Sequence, residues 1–120
     1  MRPTMQFTHI ATITTKLGQM PDFLRKSETE LLPLYRELPG FVALTVAKTG
    51  EAKAVTFGIW QTREQAEQAI KTSDKWMKDA IGQLVDETHN KVGDLPFVAV
   101  TRDLHTYVSA VAPVAGGVKA

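Results

Sequence analysis

The sequence predicts an α+β fold in which four strands and two helices follow one another in the order β, α, β, β, α, β. Val55, Phe57 and Ile59 alternate with Ala54, Thr56, Gly58 and Trp60, the period of two that a strand requires. That strand runs straight into a helix start, because Thr62 is followed three residues later by Gln65, the spacing of a capping box. Upstream, a β-branched run, a helical apolar stripe and a second alternating run come in turn.

Phe7 to Thr15 contains Ile10, Thr12, Ile13, Thr14 and Thr15 and reads as strand one, which stops at Lys16-Leu17-Gly18 with Gly18 marking the turn. Pro21 suits the first position of a helix, where its missing N–H costs nothing, and Asp22 is favourable at the positive end of the dipole. Helix one then carries Leu24, Ser27 or Glu28, Leu31, Leu34 or Tyr35 and Leu38 at helical spacing. Pro33 inside it predicts a kink or break near Thr29 to Leu32, and Leu38-Pro39-Gly40 ends it. Phe41 to Ala47 alternates as strand two, and Lys48-Thr49-Gly50-Glu51 is the tight turn of a hairpin into strand three. Helix two begins at Thr62 and keeps Ala66, Ala69, Ile70, Met77, Ala80, Ile81 and Leu84 on one face over about six turns, with His89 near its end. Ser73 is a good N-cap and predicts an interruption at Thr72-Ser73-Asp74. Asn90 to Asp94 reads as a loop, Leu95 to Thr101 as strand four, and residues 108–120 as an arm, an edge strand or a flexible tail.

A chain of 120 residues with 43% hydrophobic and 22% charged residues is expected to form one domain over 1–120, with its core at about 7–101, and needs no staple. The absence of cysteine removes disulfides, thiol nucleophiles and thiolate metal sites, and it is compatible with the cytoplasm, the expected location. No apolar run approaches the roughly 20 residues of a membrane span, and the start Met1-Arg2-Pro3-Thr4-Met5-Gln6 lacks the apolar centre of an export signal. A formal net charge of +1, with both signs interspersed, leaves no basic stripe for nucleic acid or an anionic membrane.

The element order is that of the ferredoxin-like split unit, with both helices on one face of a four-stranded antiparallel sheet. The other face needs a cover. Strand three offers it Ala54, Thr56, Gly58 and Trp60, and strand four is apolar on both sides, so a homodimer through the sheet face is expected.

Taken together, Gly18 before helix one, Pro39-Gly40 before strand two, Trp60 closing strand three, the polar start Gln61-Thr62-Arg63-Glu64 and Ser73 in mid-helix resemble the antibiotic biosynthesis monooxygenase-like domains of the dimeric α+β barrel superfamily. The resemblance covers about residues 7–101. It implies a dimeric barrel and, in some members, oxygenation of aromatic polyketide-like substrates without a cofactor. The chain departs from the family pattern where Gly58 replaces a Glu two residues before the Trp, where Thr56 replaces an Asn, and where Ala69 replaces a helix-two His. Haem-degrading members use such a His as ligand. With only Ala69, Trp76 and Asp79 around the corresponding turns, haem is not expected, since its iron needs an axial ligand.

Cofactor-free oxygenation requires a protein only to bind an ionisable ring flat, assist its deprotonation and exclude water. On that reading His9, on strand one, is the candidate base and Trp60 a stacking wall, with Thr56, Trp76, Tyr35 and Phe97 as substrate-binding residues and no metal or other cofactor. The bland reading of each is packing: Trp60 in the core or dimer seam, Trp76 and Met77 against the sheet, His9 as a satisfied structural histidine. His89 reads as a helix C-terminal residue and His105 as a surface one; the three histidines lack ligand spacing, and Asp94 with Asp103 is a chance pairing. The competing function is a non-catalytic barrel that binds a small apolar ligand or serves as an interaction module, favoured by Gly58 and Ala69.

Overall fold

β1 (Gln6–Thr15) is the spine of the sheet, pairing antiparallel with β3 (Lys53–Trp60) on one side and β4 (Val85–Leu95) on the other. β2 (Phe41–Gly50) pairs with β3 and completes a four-stranded antiparallel sheet of order β2-β3-β1-β4, the ferredoxin-like arrangement. These features come from a computed structural model that describes residues 6–98. Between β1 and β2 lie α1 (Met20–Lys26), a π-helical segment (Ser27–Leu31) and α2 (Leu32–Arg36); between β3 and β4 lie α3 (Arg63–Ala80) and a 3-10 turn (Gly82–Leu84). Among the described residues no helix is long and apolar enough to cross a membrane.

The expected break in the first helix takes the form of the π segment. Pro33 has no N–H to give to the carbonyl four residues back and its ring crowds that carbonyl, so the turn before it widens. The widened turn is pinned by side chains: Ser27 Oγ donates to the Phe23 carbonyl at 2.8 Å and Thr29 Oγ1 to the Arg25 carbonyl at 2.9 Å. The inward stripe of this helical run is Met20, Phe23, Ser27, Leu31 and Tyr35, whereas Leu34 is exposed.

At the start of α3, Thr62 Oγ1 accepts from Gln65 N at 3.1 Å and Gln65 Oε1 accepts from Thr62 N at 3.0 Å, a complete capping box. The helix runs without interruption through Thr72-Ser73-Asp74, because Ser73 Oγ turns back onto the Ile70 carbonyl at 3.1 Å and caps nothing. It then stops at Ala80, short of His89.

Three expectations are corrected. The fourth strand is Val85–Leu95, so the supposed loop 90–94 lies inside it and His89 is a strand residue beside Glu87. Leu95 is its last residue, Pro96 to Val98 follow outside it, and 99–101 lie outside the described residues, as do His105, Asp103 and the tail 108–120. The polar segment forms a strand because the whole length of β1 supplies hydrogen-bond partners for it; apolar content was the misleading cue. The hairpin turn is Glu51-Ala52, since Gly50 already pairs with Lys53. The sheet faces are also exchanged. Ala54, Thr56, Gly58 and Trp60 face the helices, and Val55, Phe57 and Ile59 point the other way with Ile10 and Ala43.

Trp60 is the anchor of the core, with no exposed surface. Tyr35 stands edge-on to it at 5.2 Å between ring centroids and Phe41 lies at 5.4 Å, so one aromatic cluster joins α2, β2 and β3.

Candidate functional site

A cavity lies between the sheet and the helices. Its floor is His9, Ala11 and Ile13 from β1, Thr56 from β3, Val46 from β2, and Thr88 and Asn90 from β4; its walls include Ser27 and Leu31 of the π segment, Tyr35, and Ser73, Trp76 and Met77 of α3. The space open to the centre of a water-sized sphere is about 20 Å³, room for a water or two and too little for an aromatic ring.

His9 is the buried titratable group of this floor, with 1% of its surface exposed. It lies at the middle of the sheet opposite Gly58 and Val92, facing the helices because β1 alternates. Its Nε2 is 2.7 Å from Asn90 Oδ1, and Asn90 Nδ2 donates to Asp74 Oδ1 at 3.3 Å. On its other side Nδ1 lies 3.5 Å from the Tyr35 hydroxyl. Burial lowers the His9 pKa below its ordinary 6.5, only partly offset by the Asn90 hydrogen bond and the Asp74 charge, so the ring is neutral. Burial pushes Tyr35 up to about 12, which keeps its phenol protonated. A neutral imidazole beside a protonated phenol can take a proton from a bound hydroxyl while the phenol hydrogen-bonds the resulting anion.

Trp76 borders the same space. Its indole N–H donates to Glu30 Oε1 at 3.0 Å, and this bond, with Lys26 at 3.4 Å from Glu30 Oε2, holds the Glu30 carboxyl below its usual range.

Of the residues singled out from the sequence, His9, Tyr35, Thr56 and Trp76 meet around this cavity. Trp60 does not line it and packs behind Tyr35; its Nε1 is buried without a hydrogen-bond partner among the described residues. Phe97 is 81% exposed, beyond the end of β4 and not part of the lining. Asn90, Asp74, Ser27 and Glu30 were missed. For Asn90 the signal was present: Thr88, Asn90 and Val92 alternate with Glu87, His89 and Lys91. Among the described residues no group of three or more His, Cys, Asp or Glu is placed to hold a metal.

Solved structures with the same architecture include a monooxygenase from the gene ActVA-Orf6 of Streptomyces coelicolor, in complex with nanaomycin D. It is 14% identical, with a TM-score of 0.64 over 85% of this chain and 96% of that one. The cofactor-independent oxygenase SnoaB of Streptomyces nogalater, in a mutant form, is 14% identical with a TM-score of 0.58 over 82% and 96%. A Nitrosomonas europaea protein assigned as an antibiotic biosynthesis monooxygenase is 10% identical, with a TM-score of 0.65 over 83% and 99%. The chain has the antibiotic biosynthesis monooxygenase-like fold. No family model and no curated protein matches the sequence, so it is the course of the backbone that carries the likeness. Within this fold, His9 and Asn90 form a polar pair on the cavity floor of this chain, with the exposed Asp74 behind Asn90.

Proposed function

We propose that the chain is a cofactor-independent monooxygenase of a small phenolic or polyketide-like aromatic substrate. The observation that carries this reading is the neutral, buried His9 facing the protonated Tyr35 hydroxyl at 3.5 Å on the wall of one cavity. His9 takes the proton of a substrate hydroxyl or of an acidified ring carbon, and Tyr35 hydrogen-bonds the anion. The electron-rich anion passes one electron to dioxygen, and the resulting pair combines as a carbon-bound peroxide. Loss of water then leaves a carbonyl: the ring CH2 becomes C=O, one oxygen atom enters the product and the other leaves in water. Thr56 and Trp76 bound the ring, and Trp60 backs Tyr35 from the core. A ring needs more space than the resting cavity offers, so binding displaces Trp76 and Met77 of α3.

That small volume favours a second reading, a non-catalytic barrel that binds a small ligand or serves as an interaction module. Oxygen uptake in chelator against dihydroxynaphthalenes and anthrones separates the two. Turnover that His9→Ala abolishes and Tyr35→Phe weakens supports the oxygenase; no uptake with any of them leaves the binding module.

The outer sheet face supports a homodimer in either case. Phe57, 38% exposed, stands there with the half-buried Ile10, Val55 and Ile59, an apolar strip that a second copy would cover. A monomeric mass at micromolar concentration refutes it.

A further inference from the structure

We infer that Asn90, steadied by Asp74, is the positioning residue of this site: it keeps the ring proton on His9 Nε2 and so presents the bare Nδ1 to the cavity and to Tyr35. The role in catalysis rests on the oxygenase reading; the tautomer does not.

A neutral imidazole carries one N–H, and its neighbours decide which nitrogen holds it. Asn90 lies between His9 and a carboxylate. A carboxylate only accepts, so the amide NH2 must face Asp74 Oδ1 at 3.3 Å, and the amide oxygen is left to face His9. That oxygen also only accepts, so at 2.7 Å Nε2 must be the donor. Nδ1 is then a bare lone pair. Its one hydrogen-bonding neighbour among the described residues, the Tyr35 hydroxyl at 3.5 Å, is beyond the range of a strong O–H hydrogen bond, so the lone pair is available to a substrate hydroxyl placed nearer.

The arrangement depends on three elements. β4 pairs Asn90 with Ala11, two residues from His9 on the same sheet face, and α3 lays Asp74 over it one residue from the buried Ser73. Across β3, His9 meets Gly58 with Thr56 diagonal to it, neither of which titrates. Among the described residues, Tyr35 from α2 and Asp74 from α3 are therefore the titratable groups that face it. An amide transmits orientation from Asp74 without putting a full charge on the ring, which leaves His9 neutral and able to act as a base near neutral pH.

The test reads the ring nitrogens directly, by 15N NMR of His-labelled protein at pH 7 without substrate, and separately by the pH profile of oxygen uptake. The expected wild-type spectrum has Nε2 protonated and Nδ1 bare for His9. Asn90→Ala mixes or reverses the two, and lowers kcat on the order of 10²-fold with little change in KM, the scale of a mispositioned general base. Asn90→Asp keeps Nε2 protonated and moves the acid limb of the pH profile to higher pH, because a carboxylate now favours the imidazolium. Asp74→Asn, at an exposed position where folding is not at risk, frees the Asn90 amide to turn and mixes the tautomers in part. A wild-type Nδ1–H, or an unchanged tautomer in both Asn90→Ala and Asp74→Asn, overturns the proposal. Absence of oxygen uptake in the wild type overturns the oxygenase reading instead, and the spectrum still decides the tautomer.

Discussion

Trp76 Nε1 donates to Glu30 Oε1 at 3.0 Å, tying α3 to the π segment beside a cavity whose walls come from both. Since the cavity is too small for a ring, a ligand entering between these elements must part them. Glu30→Ala removes the tie, whereas Glu30→Gln keeps an acceptor and removes only the charge. The expected outcome is severalfold greater acrylamide quenching of tryptophan fluorescence in Glu30→Ala, with Glu30→Gln near wild type. Trp60 is fully buried and contributes little to the signal, so the change reports Trp76. Equal quenching in all three proteins means the hydrogen bond does not hold the ring.

Gly58 explains a departure from the resemblance noted in the sequence. A Cβ there would lie 3.0 Å from Trp60 Nε1 and 3.5 Å from Tyr35 Cε2, so Trp60, packed between Tyr35 and Phe41, would have to shift by a few tenths of an ångström. A larger residue at this position and the present setting of Trp60 compete for the same space. Gly58→Ala is expected to cost about 1–2 kcal/mol by overpacking, despite the entropy alanine removes from the unfolded chain, and so to lower Tm by several degrees. Thermal unfolding followed by near-UV circular dichroism checks this; a Tm at or above wild type shows that the indole can move.

The fold was legible because its signals are local: the alternation of β3, the Thr62–Gln65 box and the proline in the first helix each act within a few residues. What was misread depends on distant partners. The sheet face of Trp60 is set by where the helices pack, since strand alternation separates two faces without saying which is inside. The identity of β4 is set by pairing with β1, so a polar stretch became a strand and Asn90 went unnoticed with it. His9 and Tyr35 were legible as residue types, but the sequence separation of 81 positions between His9 and Asn90 hid the contact that organises the site.

Both buried groups make stability depend on pH, with opposite signs. The His9 pKa is lowered in the folded state, so below about pH 6.5 the unfolded chain binds the proton more readily and stability falls as pH drops toward the folded value. The Tyr35 pKa is raised from 10.0 to about 12, so its contribution is intact below pH 10 and is lost as pH rises from there through about 12. That loss amounts to roughly 2–3 kcal/mol at most, at about 1.4 kcal/mol per pKa unit. Urea unfolding as a function of pH should show a loss on the acid side that His9→Gln reduces and a loss on the alkaline side that Tyr35→Phe removes. An alkaline limb unchanged in Tyr35→Phe would assign it to other groups.

Gly18 and Gly40 provide a matched pair for separating backbone strain from a steric clash. Both have positive φ, +80° and +82°. Among the described residues a Cβ at Gly18 meets nothing within 4 Å, whereas one at Gly40 would run into the side chain of Gln65, the residue that caps Thr62 N. Gly40 O also accepts from Gln61 N at 3.1 Å, so the end of the first helical run and the start of α3 are built against each other. Gly18→Ala should cost about 1 kcal/mol, the left-handed penalty alone. Gly40→Ala should cost that plus about 1 kcal/mol more, because displacing Gln65 also undoes half of the capping box. In a Gln65→Ala background the obstructing atoms are gone, and the cost of Gly40→Ala should fall to that of Gly18→Ala. Chemical denaturation of the variants measures the difference directly. If the cost at Gly40 is the same with and without the Gln65 side chain, backbone strain alone accounts for the glycine, and the link between Gly40 and the α3 cap has no energetic weight.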